Sequence, residues 1–187
     1  MTPDDSGLPD DSGPPDDSGP PDDPAPLDEA TVAALAWLSG IGGSLRTMAV
    51  IWATVDLDRA VADLRRGAVV GADHLTVADP AAVADDPQLG ARVEVLMTDD
   101  GRRIALAEPS TEGRLAATLA RHGEGPAGRY VAVQLDLDEI RTLAGAAGVA
   151  VSRPAAGPFG PQLLLLGGPL GGRSLILVDP AALPSPP

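Results

Sequence analysis

Residues 50–70 read VIWATVDLDRAVADLRRGAVV, and residues 130–150 read YVAVQLDLDEIRTLAGAAGVA. Each stretch begins with apolar residues typical of a strand, passes through Asp-Leu-Asp and continues with apolar residues at helical spacing. Asp58 and Asp138 stand where we expect the N-caps of these two helices. Because the same strand–turn–helix pattern occurs twice, about 80 residues apart, the sequence predicts a duplicated unit.

Each unit continues into a segment with the pattern of a β-hairpin. Residues 92–109 place Thr-Asp-Asp-Gly between two strand patterns, and residues 162–180 place Gly-Pro-Leu-Gly-Gly between two more. One further strand fits between each helix and its hairpin, so the predicted order is β-α-β-β-β, twice. Two such modules can curl their sheets around a shared cleft with the helices outside, which predicts an α+β fold.

The chain is expected to begin with a disordered tail. Residues 3–23 repeat Pro-Asp-Asp-Ser-Gly units, in which Pro removes backbone donors and paired Asp side chains repel each other. A short helix should follow the tail, and another helix should join the two modules. The predicted divisions are a tail at 1–26, a helix and linker at 27–47 and a domain at 48–187, with module one at 48–109, the linking helix at 110–128 and module two at 129–180.

Composition limits the chemistry open to this chain. It contains no Cys, and all thirteen of its basic residues are Arg. Disulfides, thiolate metal sites, a Cys nucleophile and a Schiff-base lysine are therefore excluded. A formal net charge of −14 opposes the binding of phosphates, so nucleic acid is not an expected partner. No stretch reaches the length of a membrane span and the acidic N-terminus is unlike a signal peptide, so we expect a cytoplasmic protein without a membrane partner.

The repeat resembles the vicinal oxygen chelate superfamily, also called glyoxalase-like proteins. The residues that carry the resemblance are IALAEPSTEGRLAATLARHGEGP at 104–126, a strand followed by Asp136-Leu137-Asp138, and AGAAGVAV at 144–151. Within the superfamily they are most similar to the methylmalonyl-CoA epimerases. The resemblance covers residues 48–180 and implies a fold of two βαβββ modules. It also implies a possible homodimer, because similar proteins often pair these modules.

The resemblance implies a divalent metal held by four inward side chains, but this sequence departs from the pattern at each position. Ala49 and Arg129 occupy the two His positions, with Tyr130 replacing Arg129 if the second register slips by one residue. Leu89, with Gln88 beside it, and Ile176 occupy the other two. Ala, Leu and Ile have no lone pair to donate and Arg carries the wrong charge, so we expect no metal and no cofactor.

Alternation along the strands then predicts an apolar cleft with few polar groups. Its predicted lining is Ala49, Ile51, Ala53, Leu89, Ala91, Val93, Val95, Arg129, Val131, Val133, Ile176 and Val178. Arg129 could hold a carboxylate or a developing enolate oxygen through two hydrogen bonds, or could instead face solvent and pair with Glu124 or Asp136. Tyr130, Gln134 and Gln162 are further candidate anchors. His74 is either a general base or a half-exposed polar residue.

Two functions from different classes fit these residues. The first is metal-free isomerisation, cyclisation or elimination of a small acyl or natural-product-like molecule, with Arg129, Tyr130 and His74 as the catalytic groups. The second is non-catalytic binding and sequestration of such a molecule. A third reading retains a metal-dependent epimerase with ligands drawn from Gln88, His74, Glu94 and Asp179. The fold alone cannot decide among them.

Overall fold

The computed structural model describes residues 29–40, 45–66, 83–98, 101–166 and 173–179. The predicted tail at 1–26, His74 and the glycine-rich turn at 167–172 lie outside the described residues. The helices are α1 (Glu29–Gly40), α2 (Leu57–Arg65), α3 (Arg114–His122) and α4 (Leu137–Ala146). The strands are β1 (Arg46–Ala53), β2 (Ala84–Asp86), β3 (Ala91–Met97), β4 (Arg103–Pro109), β5 (Gly125–Ala132), β6 (Ala155–Gly157), β7 (Gly160–Leu164) and β8 (Ser174–Val178).

All eight strands form one mixed sheet in the order β2-β3-β4-β1-β5-β8-β7-β6. Within each half the first and last strands are parallel neighbours, β1 with β4 and β5 with β8, and the remaining pairs are antiparallel. The two halves join through the antiparallel pair β1–β5. The predicted α+β fold of two βαβββ modules is therefore confirmed.

The helices α2 and α4 begin two residues earlier than the sequence suggested. Their N-caps are Asp56 and Asp136, whose backbones are extended and whose carboxylates accept backbone N–H bonds from the first turn. The Asp56 carboxylate, for example, accepts from the Arg59 N–H at 2.9 Å. The prediction that Asp58 and Asp138 are the caps was wrong. Both lie in the first turn, where a negative charge is favourable next to the positive end of the helix dipole.

One face of the sheet is covered by helices. Helix α2 packs Leu57, Val61 and Leu64 against Leu96 and Leu106 of module one. Helix α4 and the end of α1 cover module two, where Leu38, Ile140 and Leu163 belong to one buried cluster. These two clusters account for the apolar stripes that the helical periodicity predicted. Within the described ranges, none of the helices combines the length and apolarity needed to cross a membrane.

The opposite face of the sheet is concave and encloses a single apolar core. The outermost strands β2 and β6 contact each other, so the sheet curls towards closure. Gln88, in the turn after β2, stabilises this contact between the two ends of the sheet. Its Nε2 donates to the Arg153 carbonyl at 2.7 Å and to the Gln162 carbonyl at 3.4 Å. Helix α3 covers part of this face by placing Leu115 against small side chains such as Ala53 and Ala107.

Candidate functional site on the concave face

The candidate site is the buried cluster on the concave face, which draws residues from both modules. Its centre is set by strand register, because Ala49 lies opposite Tyr130 and Tyr130 lies beside Ile176. We call the following residues the concave cluster: Met48, Ala49, Ile51, Ala53, Leu89, Ala91, Val93, Ala105, Ala107, Leu115, Ala127, Tyr130, Ala132, Phe159, Leu164, Ile176 and Val178. Two buried polar residues, Asp86 and Gln162, lie on the same face, where Asp86 pairs with Ala91 and Gln162 pairs with Val178.

The register of β5 differs from the predicted one by a single residue. Tyr130 points into the concave cluster and is fully buried, whereas Arg129 is exposed on the other face. Val131 and Val133 likewise face the helices, within the cluster that contains Ile140. The predictions that Arg129, Val131 and Val133 line the cleft were therefore wrong. A register shift between Thr47 and Ala49 places Ala49 opposite Tyr130, and alternation then turns every second residue of β5 outward.

The other predicted lining residues lie as follows. Ala49, Ile51, Ala91, Val93 and Ile176 are buried in the concave cluster. Leu89 is also buried there, but it lies in the turn between β2 and β3 and not on a strand as predicted. Gln134 is exposed beyond the end of β5, so its prediction as a cleft anchor was wrong.

Glu124 is one of the two proposed partners of Arg129, but its carboxylate accepts hydrogen bonds from module one. Its Oε1 accepts from the Thr54 hydroxyl at 2.5 Å, the Val55 N–H at 2.8 Å and the Arg59 guanidinium at 2.6 Å. The hydrogen bond from Thr54, followed by that from the Val55 backbone, lowers the pKa of Glu124. Glu124 thus holds the start of β5 against module one.

Tyr130 and Asp86 form a hydrogen bond that crosses the interior between the modules. The Tyr130 hydroxyl on β5 donates to Asp86 Oδ2 on β2 at 2.5 Å, and both residues are at most 1% exposed. The other carboxylate oxygen of Asp86 accepts the N–H groups of Gln88 at 2.8 Å and Leu89 at 3.1 Å. Burial, and secondarily the neighbouring Asp86 charge, raises the pKa of Tyr130 well above 10. The hydroxyl is therefore a protonated donor at neutral pH.

Phe159 completes this arrangement from the β6–β7 turn. Its ring meets the Tyr130 ring edge-on, with 4.9 Å between centroids and 62° between planes. The exposed fractions of Ala49, Tyr130 and Ile176 are 2%, 0% and 0%. The Tyr130 ring therefore occupies the interior at the level where the sequence predicted an apolar cleft.

Sequence reasoning missed both Asp86 and Phe159. Asp86 precedes Pro-Gln-Leu-Gly, and an Asp that starts such a turn commonly accepts N–H bonds from the residues two and three positions later. That signal could have marked Asp86 as a turn residue. Its partner Tyr130 lies 44 positions away, and no local pattern reports such a contact.

Gln162 is a predicted polar anchor that is buried and whose side-chain amide has no hydrogen-bond partner among the described residues. It lies on β7 opposite Ala155 and Val178, is 0% exposed, and both Oε1 and Nε2 are unsatisfied. The amide rests on Gly157 so closely that a Cβ there would lie 2.2 Å from the Gln162 Cδ. Gly157 is therefore required for this placement of the amide.

The concave face does not fit the divalent metal that the resemblance implies. At its register-aligned centre, Ala49 and Ile176 have no donor atom and the Tyr130 hydroxyl is committed to Asp86. Glu94 lies on the other face, where its carboxylate is 3.5 Å from Arg65 and burial raises its pKa. No group of three or more His, Asp or Glu side chains in the described part of the chain could hold a metal ion.

The curled sheet of paired βαβββ modules is the fold of the vicinal oxygen chelate superfamily. A variant of the Streptomyces coelicolor methylmalonyl-CoA epimerase, solved in complex with 2-nitronate-propionyl-CoA, is 25% identical with a TM-score of 0.56, covering 76% of this chain and 100% of that one. The Mycobacterium tuberculosis methylmalonyl-CoA epimerase is 22% identical with a TM-score of 0.59, covering 72% and 87%. A hypothetical protein from Bacillus halodurans C-125 is 17% identical with a TM-score of 0.56, covering 73% and 94%. No protein-family model and no curated protein matches the chain.

Proposed function

We propose that this protein binds a small, largely apolar organic molecule at its concave face and does so without a divalent metal ion. The observation that carries the proposal is Gln162, a buried side chain whose amide has no partner in the described part of the chain. The rest of this face is apolar apart from the hydrogen-bonded pair Tyr130 and Asp86. Ligand sites typically combine apolar walls with a few polar groups that fix orientation. Gln162 supplies that polar group and the concave cluster supplies the walls.

We place the ligand at the edge formed by β6 and β7. Ala155 and Gly157 lie beside Gln162 on this edge and are only half-buried, whereas Tyr130 and Ile176 are fully buried. Because the Gln162 side chain is itself 0% exposed, a ligand would reach the amide by opening this edge, away from the Tyr130 ring. Each aliphatic carbon that it buries would contribute about 0.8 kcal/mol of binding free energy.

Metal independence is supported by the chemistry of the residues at the centre of the concave face. The Tyr130–Asp86 hydrogen bond joins the modules at the level where the resemblance implies an ion. Asp86 already accepts three hydrogen bonds, which leaves its carboxylate poorly placed to serve a metal as well. The concave face can thus hold its shape through side chains alone.

Binding is better supported than catalysis because the predicted catalytic groups are not poised to transfer protons. Arg129 is exposed on the other face, and the hydroxyl of Tyr130 is buried, protonated and bonded to Asp86. A general base must be free to take a proton from its substrate. Metal-free isomerisation, with His74 as its remaining candidate base, stays a prediction. The cytoplasmic location and the homodimer also stay predictions.

A second candidate is an epimerase that acts on a CoA thioester. It is favoured by the Streptomyces coelicolor structure, which is a complex with a propionyl-CoA derivative and whose whole chain is covered at 25% identity. Another epimerase structure, 25% identical with a TM-score of 0.57, contains methylmalonyl-CoA and NH4+. Under this alternative the concave face would take the acyl group of the thioester.

The two candidates are separated by incubating the full chain with methylmalonyl-CoA in D2O. We expect no deuterium at the acyl α-carbon above the uncatalysed background, because no described side chain on the concave face is a free base. Native mass spectrometry of the purified protein, before and after EDTA treatment, should retain any bound small molecule in both samples. Enzyme-dependent deuterium incorporation, or EDTA-sensitive retention, would contradict metal-free binding.

A further inference from the structure

We infer that Gln162 selects ligands that carry a hydrogen-bond donor next to an acceptor in one plane, such as a lactam or a primary carboxamide. This inference rests on the proposed binding function and names its ligand class. A glutamine amide offers an acceptor, Oε1, beside two N–H donors on Nε2. Both atoms are buried and both lack a hydrogen-bond partner in the described part of the chain. A single ligand group that satisfies both must mirror that donor–acceptor pair.

Other polar groups satisfy only half of the amide. A ketone or an ester accepts from Nε2 but leaves Oε1 without a donor. A carboxylate accepts from Nε2 and brings its negative charge against Oε1. The buried polar and charged residues in the described part of the chain include no arginine that could neutralise such a charge. An apolar surface without a cation penalises an ionised ligand, so a neutral amide is preferred.

The geometry of the β6–β7 hairpin holds the amide in position for this pairing. The Gln162 amide packs directly on Gly157, since a Cβ there would lie only 2.2–2.4 Å from Cδ, Oε1 and Nε2. The backbone carbonyl of Gln162 is held by Gln88, which bridges to module one. The side-chain amide is therefore the part of Gln162 whose hydrogen-bonding groups lack a partner among the described residues.

The composition of the chain makes this inference directly observable by NMR. The sequence has three glutamines, Gln88, Gln134 and Gln162, and no asparagine. A ¹H–¹⁵N spectrum therefore contains three side-chain NH2 pairs, and the pair lost in Gln162→Leu identifies Gln162. The exposed Gln134 serves as an internal control, and Gln134→Leu as the matched control variant.

The experiment titrates the full-length protein with 2-pyrrolidinone and, separately, with N-methyl-2-pyrrolidinone, which has the same acceptor and no donor. We expect the Gln162 pair to shift with 2-pyrrolidinone at an affinity about tenfold higher than for the N-methyl compound, because a site built for hydrogen bonding rejects an analogue that lacks the group. Gln162→Leu, whose folding the backbone spectrum verifies, should bind the two compounds equally. Gln134→Leu should behave like the unchanged protein.

Two outcomes would overturn the inference. One is a Gln162 pair that shifts equally with both compounds or with neither. The other is a Gln162 pair that stays unshifted by 2-pyrrolidinone and shows contacts to a long-lived bound water, because the amide would then be satisfied by solvent. If a molecule found by native mass spectrometry still perturbs the β6–β7 amides, metal-free binding survives and only the ligand class fails. If nothing perturbs them, the proposed function fails as well.

Discussion

Replacing Asp86 by alanine should lower the free energy of unfolding by about 3 kcal/mol, because it removes the acceptor of the buried Tyr130 hydroxyl, the buried Leu89 N–H and the half-buried Gln88 N–H. The three donors converge on one carboxylate that is 1% exposed. Urea denaturation followed by circular dichroism measures the change. The exposed neighbour Asp85 provides the matched control, since Asp85→Ala should change stability by no more than about 0.5 kcal/mol.

The interaction itself is isolated by a double-mutant cycle with Tyr130→Phe. Tyr130 and Asp86 belong to different modules, so their coupling reports how strongly the interior contact holds the modules together. We expect a coupling energy of about 2 kcal/mol. Additive effects of the two substitutions would show that the hydrogen bond does not contribute to joining the modules.

The second large effect is expected at Gly128 on β5, where a Cβ would meet the backbone of β8. Gly128 pairs with Ser174, and a Cβ at Gly128 would lie 2.0 Å from the Ser174 carbonyl oxygen. Because the clash is with backbone, it cannot be relieved by rotating a side chain. Gly128→Ala should therefore destabilise the protein by about 3 kcal/mol and loosen the pairing that places Ile176 beside Tyr130.

Gly145, inside helix α4, provides the opposite control. A Cβ there would meet nothing within 4 Å, so Gly145→Ala should stabilise the protein by about 0.8 kcal/mol through the higher helix propensity of alanine. Thermal denaturation of both variants tests the pair. A Gly128→Ala variant as stable as the unchanged chain would show that β5 and β8 are not packed this closely.

The sequence predicted the module order because the signals for it are local and occur twice. Asp-Leu-Asp marks each helix start, and apolar alternation marks each strand around it. The burial of Ala49, Ile51, Ala91 and Val93 follows from the same alternation. These features need only the spacing of neighbouring residues, which the chain displays directly.

The spacing of neighbouring residues could not predict the register of β5 or which side chains occupy the interior of the sheet. An irregular pairing near Thr47 decides whether Arg129 or Tyr130 faces inward, and nothing in the spacing of either strand reveals it. The sequence favoured Arg129 at the site and left Tyr130 as the alternative, and the structure has Tyr130 there. The Asp86 and Phe159 contacts to Tyr130 depend on how two distant turns meet when the sheet curls. Long-range packing of this kind is set by the whole fold.

We infer that side chains, and not an ion, occupy the middle of the concave face. Adding one equivalent of Mn²⁺ to the full-length protein tests this inference through the paramagnetic broadening of backbone amide signals. An ion held weakly by acidic residues elsewhere would broaden different signals. We expect the amides of Ala49, Tyr130 and Ile176 to stay sharp. Broadening centred on those three amides would place a metal inside the sheet and contradict the account.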